Sequence, residues 1–330
     1  MLPQDNNLSL VPPAGANGTA KDDSFAKHSF PPDGLVALSR VAYQQTPLSI
    51  SEVRRGVFVF NGAGGNITGI EGSPVCTIVD SGFGPRLAEI ERAIAAALPQ
   101  APRWLINTHW HFDHTDGNAA FAAAGATILA HANCRFRLSQ DQYVPSLSWS
   151  VSAAPRRAWP TLTFDRPIML DIGAEQLRLL PQAPAHTDGD VAVFLPSSNV
   201  LVVGDLFTNG SYPVIDESSG GSLRGMVQAV EGLLPMIDAN TVVVPGHGAA
   251  ADRTRLLGFR DMLRRIEDRI LALVEAQLET REILSAQPTA EFDPLWGRDY
   301  VTGTHFTRMA LAGMGRNHAP AGPPSSAADR

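Results

Sequence analysis

Three histidines and two aspartates occupy the eight residues from His109 to Asp116, in the stretch NTHWHFDHTDGN. Polar side chains at this density are rarely buried unless they are paired or bind a ligand. The run RWLINT leads directly into this stretch and is typical of a short buried strand. The stretch therefore predicts either a His-rich surface turn or one wall of a metal site at the end of a strand. A metal site would require further ligands elsewhere in the chain.

Three later segments repeat the pattern of an apolar run followed by a histidine or an aspartate. LRLLPQAP is followed by His186 in AHTDGD, NVLVVGD ends at Asp205, and TVVVPGHG contains His247 near its end. Sites in open α/β folds collect where strands give way to loops, so these four strand ends imply one convergent cluster. The candidate metal ligands are His109, His111, Asp113, His114, His186, Asp205 and His247.

The chemistry of this set indicates a metal centre with two ions. Imidazoles and carboxylates are the nitrogen and oxygen ligands that zinc or iron takes. His109 and His111 are separated by one residue and point to the same side of an extended backbone, whereas Asp113 and His114 must point elsewhere. One ion with four ligands cannot use seven groups, but two ions that share a bridging ligand can.

The rest of the body alternates strand-like and helix-like segments. GVFVFNG and PVCTIVDSG are β-rich runs that end in turn residues, while PRLAEIERAIAAAL and SLRGMVQAVEGLLPMI have helical spacing. AAFAAAG predicts a short helix capped by Asn118, and residues 252–286 predict one long amphipathic helix capped by Asp252. Apolar strands with helices outside them predict an α/β protein with a largely buried sheet.

The strings HWHFDH, AHTDGD, GD and GHG, in this order and at this spacing, resemble the metallo-β-lactamase-fold superfamily over roughly residues 50–280. The resemblance implies a single-domain α/β fold, a four-layer αββα sandwich with the metals at one edge. An aspartate at position 205 is similar to the glyoxalase II, lactonase and phosphodiesterase branches, because the classical β-lactamases commonly have cysteine or serine there.

The resemblance also implies a role for each candidate. One metal would be held by His109, His111 and His186, and the second by Asp113, His114 and His247. Asp205 would bridge the two. Asp80, in IVDSG, matches the first motif of the family and would orient a ligand imidazole.

We therefore expect a dinuclear zinc-dependent hydrolase, with iron or manganese as alternative metals, in which a hydroxide bridging two Zn²⁺ ions attacks a carbonyl carbon. Asp113 is the expected catalytic residue, because its carboxylate would hold the hydroxide and move a proton to the leaving group. The expected substrate is a cyclic amide, lactone or ester, including a β-lactam. The alternatives are a glyoxalase II-type thioesterase, a phosphodiesterase and a di-iron redox protein. The body has no lysine, since Lys21 and Lys27 are both near the N-terminus, and this disfavours a glutathione thioester.

Two irregular segments, residues 138–164 and 208–222, are expected to form the substrate rim. Trp149 and Trp159 would contact an apolar part of the substrate, and the alternative is that they pack the loop onto the body. Tyr212 would donate a hydrogen bond to a carbonyl oxygen. Arg224, just beyond the second segment, would bind a substrate carboxylate.

Charge and composition disfavour some classes of binding partner. The net charge of −7 disfavours nucleic acid, and no apolar run is long enough to cross a membrane. We expect a small-molecule substrate and a monomer or homodimer. The N-terminus lacks a signal-peptide pattern, which favours the cytoplasm, or the periplasm if a signal peptide has been removed. Residues 1–45 are expected to be an irregular tail with one short helix near GLVALSRVAYQQ, residues 46–290 the catalytic domain, and residues 291–330 an extension with a disordered end.

Overall fold

The structure is a computed structural model that describes residues 26–316, and its largest sheet has seven strands. Numbered along the chain, these are β2 (Ser49–Arg54), β3 (Val57–Asn61), β4 (Ile67–Ile70), β5 (Cys76–Val79), β6 (Pro102–Ile106), β7 (Thr127–His131) and β10 (Leu162–Phe164). Their order in the sheet is β10-β7-β6-β5-β4-β3-β2. Strands β5, β6 and β7 are parallel, so their carboxyl ends lie at the same edge of the sheet.

A second sheet has five strands in chain order. They are β11 (Ile168–Asp171), β12 (Gln176–Pro181), β13 (Val191–Leu195), β14 (Val200–Thr208) and β15 (Val242–His247). The pairing of β14 with β15 is parallel, and the helix between them makes the crossover. All five residues of β13 are buried, because both faces of this strand are covered.

The helices lie outside the sheets and in the terminal segments. They are α1 (Leu35–Gln45), α2 (Leu87–Ala97), α3 (Phe112–Thr115), α4 (Asn118–Ala123), α5 (Ala132–Leu138), α6 (Leu223–Leu233), α7 (Arg253–Glu275), α8 (Thr280–Ser285), α9 (Asp293–Trp296) and α10 (Gly303–Arg316). In residues 26–316, no helix combines the length and the apolar composition that crossing a membrane requires.

Three apolar cores separate four layers. The inner core joins side chains of β3, β6 and β7 to side chains of β12, β13 and β15. One outer core packs α2 and α4 against the first sheet, and the other packs α6 and α7 against the second. This arrangement confirms the predicted α/β class and the four-layer αββα sandwich.

Both terminal segments pack onto the body. The helix expected near GLVALSRVAYQQ is α1, and its side chains Leu35, Val36 and Tyr43 are buried in the same core as Phe306 of α10. The described part of the expected irregular tail is therefore a packed element, because a helix with an apolar face buries that face against the body. The division at residues 45 and 290 stays a prediction. The rest of the tail, and the end of the chain after residue 316, lie outside the described residues.

Three local predictions need correction. The long helix expected over residues 252–286 is two helices, because Gln277 adopts a positive φ of 59° and Glu279 begins α8 with a capping box. Asn118 lies inside α4, not at its cap, and its buried amide bonds to Ser81 and Asn107. The segment over residues 138–164 is partly regular, because β8 (Gln142–Val144) and β9 (Trp149–Val151) form a small sheet with β1 (His28–Ser29).

The cap of α7 gives a prediction about stability. The Asp252 side chain accepts a hydrogen bond from the Arg255 N–H at 2.8 Å, as the sequence predicts. We expect Asp252→Ala to lower the free energy of unfolding by about 1 kcal/mol, since the first turn loses its partner. Chemical denaturation measures this change. Asp268→Ala, at an exposed position of the same helix, is the control and should change stability by less than about 0.5 kcal/mol.

Candidate metal centre

The turn after β6 presents the opening motif at the edge of the first sheet. After β6 ends at Ile106, the chain passes through an extended His111, with φ −63° and ψ 150°, into the short helix α3. His109, His111, Asp113 and His114 are each 6% exposed or less. The His109 ring lies between those of His111 and His114, with centroid distances of 4.8 and 4.3 Å, so one turn places its imidazoles side by side.

The first group consists of His109, His111 and His186, whose ligand atoms lie within 4.8 Å of one another. His186 reaches it from the turn between β12 and β13, and its Nε2 lies 3.0 Å from Nδ1 of His111. All three side chains are buried. Three buried imidazoles therefore converge on one small volume and offer nitrogen donors to it.

The second group consists of Asp113, His114 and His247, with their ligand atoms within the same 4.8 Å limit. His247 ends β15, and its Nε2 lies 3.3 Å from Oδ2 of Asp113. Nε2 of His114 lies 3.8 Å from the same oxygen. Strand ends from the two sheets therefore meet here, as the sequence predicts.

Asp205, in β14, lies between the two groups. Its Oδ1 is 3.2 Å from Nε2 of His114 and 3.4 Å from Nε2 of His247. Its Oδ2 is 3.6 Å from Nε2 of His186, in the first group. Each oxygen thus faces a different group, and the ligand atoms of His109, His114 and Asp205 also lie within 4.8 Å of one another.

Two glycines allow the strands to approach this closely. A Cβ atom at Gly246 would lie 1.9 Å from Oδ1 of Asp205, and one at Gly65 would lie 2.1 Å from Cε1 of His114. Both distances are far below van der Waals contact. Glycine is therefore required beside each of these ligands.

Asp80 lies behind the second group, at the end of β5. Its Oδ2 is 2.8 Å from Nδ1 of His114, and it accepts hydrogen bonds at 2.7 Å from the backbone and the hydroxyl of Thr108. The same hydroxyl is 3.0 Å from Nδ1 of His109. Asp80 can therefore orient one imidazole directly and a second through Thr108. Its positive φ of 65° is an unfavourable conformation that these bonds hold in place.

Asp216 performs the equivalent task for the first group, and sequence reasoning missed it. Its Oδ2 is 3.3 Å from Nε2 of His111, and the carboxylate is fully buried. Burial opposes ionisation, but hydrogen bonds from His111, Ser218 and Ser219 hold the pKa of Asp216 below its usual value. An aspartate followed by two serines in IDESSGG is a local signal for a side-chain turn. Nothing local shows that this turn faces His111.

The residues fit divalent cations. Within residues 26–316, Nε2 of His109, Nε2 of His114 and Oδ1 of Asp205 are buried and make no hydrogen bond of good geometry, although the last two atoms lie 3.2 Å apart. Such atoms are costly to bury unless a ligand satisfies them. Each of the two rings bonds to protein through its other nitrogen, so Nε2 is the atom that is free to bind an ion.

The electrostatics agree with this conclusion. Although burial opposes protonation, the carboxylates of Asp205 and Asp113 raise the pKa of His247 to about 10. Burial alone would raise the pKa of Asp113. The neighbouring imidazoles of His114 and His247 outweigh this effect and lower the pKa to about 2. The two carboxylates therefore attract positive charge into the centre, which metal ions can supply.

A pocket opens onto Asp113, Asp205 and His247. Trp149, one of the four expected substrate residues, lines it. Its ring lies parallel to that of Trp110 at 5.3 Å and edge-on to that of His111 at 5.8 Å. Trp149 is only 1% exposed, so it forms a wall of the pocket, not a mobile rim.

The other three expected substrate residues lie away from the pocket. Tyr212 is buried against the ring of Phe306 and donates its hydroxyl hydrogen to Asp293, 2.9 Å away. It therefore has no free donor for a substrate. The indole N–H of Trp159 bonds to the backbone of Ala154, which fixes its ring on the body. Arg224 is exposed on α6, on the outer face of the second sheet.

The description "Metallo-beta-lactamase superfamily" belongs to the family model that matches residues 61–257, more than half of the chain. The chain belongs to this superfamily. The match contains all seven candidate ligands, and the predicted resemblance is confirmed.

Curated relatives agree with the assignment to this superfamily. A hydroxyacylglutathione hydrolase of Anaeromyxobacter dehalogenans is 34% identical over 161 residues, which cover 48% of this chain and 53% of that protein. One of Rhodospirillum rubrum is 29% identical over 173 residues, covering 52% and 57%. The chain thus spans about half the length of these relatives.

Solved structures show the same fold. A metallo-beta-lactamase from Pontibacter korlensis has 20% identity and a TM-score of 0.56, with 66% of this chain and 99% of that chain covered. A stereoselective inverting sec-alkylsulfatase from a Pseudomonas species has 17% identity and a TM-score of 0.60, with 88% and 53% covered. At these identities the likeness concerns the fold alone.

Proposed function

We propose that this protein is a dinuclear metal-dependent hydrolase, with zinc as its metal, and that it cleaves a carbonyl compound. The observation that carries the proposal is the position of Asp205, with one carboxylate oxygen toward each group of buried ligands. Membership of the superfamily supports the same reaction type. The fold alone does not determine the substrate, which depends on the residues that line the site.

The seven side chains divide between the two ions as their geometry suggests. His109, His111 and His186 would hold the first ion, and Asp113, His114 and His247 the second, with Asp205 shared. Two bound ions lower the pKa of a water molecule and polarise a substrate oxygen. The protein contributes a dry, rigid frame in which the ligand rings are fixed by Asp80, Thr108 and Asp216.

Asp113 is the group placed to handle the proton. Its carboxylate lines the pocket, and although burial opposes ionisation, the neighbouring imidazoles of His114 and His247 hold its pKa below the usual value. An ionised carboxylate can accept a proton at Oδ2 and return it to a leaving group. The imidazoles of His247 and His114, 3.3 and 3.8 Å away, fix the position of this oxygen.

A cyclic amide, lactone or ester is the proposed substrate class. A glutathione thioester is the second candidate, because two relatives carry the name hydroxyacylglutathione hydrolase. Acidic substrates of this kind need cationic side chains, and the described residues that line the pocket include no lysine or arginine. This favours the first class.

Metal analysis and a substrate panel test the proposal. We expect about two zinc ions per chain. We also expect hydrolysis of at least one carbonyl substrate among nitrocefin, an acyl-homoserine lactone and S-lactoylglutathione, with bis-p-nitrophenyl phosphate as the phosphodiester control. Removing the metal with a chelator should abolish activity, and adding zinc should restore it. Full activity in protein shown to be metal-free would refute the proposal, and recovery with iron or manganese alone would change only the metal.

A further inference from the structure

The wall of the pocket beside the metal centre is built partly by segments outside residues 61–257, the part that the family model matches. One segment is helix α1, and the other lies between α9 and α10. They place apolar and hydroxyl-bearing side chains in the same pocket as the metal-centre carboxylates. These side chains are Leu35, Val36, Ser39, Tyr43 and Tyr300.

This wall is fixed to the body. The guanidinium of Arg86 donates hydrogen bonds to the backbone oxygens of Tyr43 at 3.0 Å and Gly62 at 3.1 Å, which ties the end of α1 to the first sheet. The Tyr43 ring stacks on the His247 imidazole, with centroids 5.7 Å apart and planes inclined by 8°. The wall is therefore preformed and directly adjoins a metal ligand.

The hydroxyls of Tyr43 and Tyr300 form a pair 3.1 Å apart, although the residues are 257 positions apart in the chain. Either hydroxyl can be the donor, and their mutual bond uses only one of the two protons. Neither hydroxyl bonds to another protein group in the part of the chain that the structure describes. The second proton is therefore available to an oxygen atom in the pocket.

Apart from the tyrosine pair and Ser39, whose hydroxyl donates to the backbone oxygen of Val36 at 2.9 Å, this side of the pocket is apolar. Leu35, Val36, Leu147 and Trp149 line it together with the tyrosine pair, and the described lining contains no cation of lysine or arginine. A carboxylate placed against the apolar part of this wall would lose hydration without gaining a lysine or arginine of the lining as an ion-pair partner. A short hydrocarbon chain would instead gain from leaving water.

We propose that α1 and the segment bearing Tyr300 form an acyl-binding wall that selects neutral esters and lactones with a short apolar acyl chain. The tyrosine pair donates a hydrogen bond to one substrate oxygen. Hydrolysis breaks the acyl C–O bond and forms a new one to the oxygen of water, and the released alcohol takes a proton. The inference rests on the proposed function, because it concerns the substrate of the same site.

A matched pair of esters tests the selectivity. p-Nitrophenyl butyrate and p-nitrophenyl hemisuccinate differ in a terminal methyl or carboxylate. Once the uncatalysed release of p-nitrophenol is subtracted, which the hemisuccinate carboxylate accelerates, the zinc-loaded protein should show a kcat/KM at least about tenfold higher for the butyrate. Equal values, or preference for the hemisuccinate, would overturn the wall's role while leaving the hydrolase proposal standing. Hydrolysis of S-lactoylglutathione with neither ester cleaved would also overturn the wall's role and leave the hydrolase proposal standing. Failure on every substrate with two zinc ions bound would remove both proposals.

Conservative variants test the tyrosine pair. Tyr43→Phe and Tyr300→Phe should each lower kcat/KM for p-nitrophenyl butyrate by about three- to tenfold, with bound zinc unchanged. The double variant should lose little more than either single variant, because the two hydroxyls act as one unit. Tyr143→Phe, at a position that is 58% exposed and outside the pocket, is the control and should match the parent protein. Unchanged kcat/KM in both single variants would refute the pair's role, and a parallel loss of zinc would show that Tyr43 positions His247 instead.

Discussion

The substitution Asp205→Asn is expected to abolish hydrolysis and to leave at most one metal ion per chain. The carboxylate has one oxygen toward His114 and His247, at 3.2 and 3.4 Å, and the other toward His186, at 3.6 Å. The NH₂ group of asparagine cannot bind a cation, so one of the two groups loses its shared ligand. A loss of about 4 kcal/mol in transition-state stabilisation corresponds to roughly a thousandfold fall in kcat/KM.

Metal content and activity must be measured on the same sample of this variant. Asp171→Asn, at an exposed position of β11, is the control and should retain both metal and activity. Circular dichroism should show a folded protein, because asparagine has nearly the volume of aspartate. Two tightly bound ions and near-normal turnover in Asp205→Asn would exclude a bridging role for Asp205.

The seven candidate ligands could be found from sequence because each follows or lies in an apolar strand. Buried strands produce runs that are easy to recognise, and sites form where such runs end. The spacing within HWHFDH adds a second constraint, because it fixes which side chains face each other over a few residues. For His109, Asp205 and His247, the local sequence pattern therefore predicts the position at the strand end that the structure shows.

The surroundings of the ligands could not be found in this way, since they depend on contacts between distant segments. The position of Tyr212 soon after Asp205 predicts a place near the metals, yet in the structure its hydroxyl donates a hydrogen bond to Asp293. Tyr43 lies in the predicted tail and Tyr300 in the predicted extension, and no local pattern indicates that they pair across 257 positions. Short-range periodicity predicts which face of a helix or strand is buried, but it does not predict which distant segment packs against that face.

Asp216 is another residue of this kind, and Asp216→Asn is expected to weaken binding of the first metal ion by about ten- to a hundredfold. The carboxylate lies 3.3 Å from Nε2 of His111, which favours the tautomer with its hydrogen on that nitrogen. Nδ1, 3.0 Å from Nε2 of His186, is then left with its lone pair toward the first group. An amide in place of the carboxylate removes the charge that stabilises this arrangement. Competition with a chromogenic zinc chelator measures the affinity.

Glu217→Gln is the matched control for this effect. Glu217 is the neighbouring carboxylate, also buried at 5% exposure, and its oxygens accept hydrogen bonds from the backbone and hydroxyl of Ser146. Its loss should lower stability, since a buried bonded group is altered, but should leave zinc affinity within about twofold. Equal weakening in both variants would mean that the segment matters only for folding. Weakening confined to Asp216→Asn would show that this carboxylate acts on the metal centre through His111.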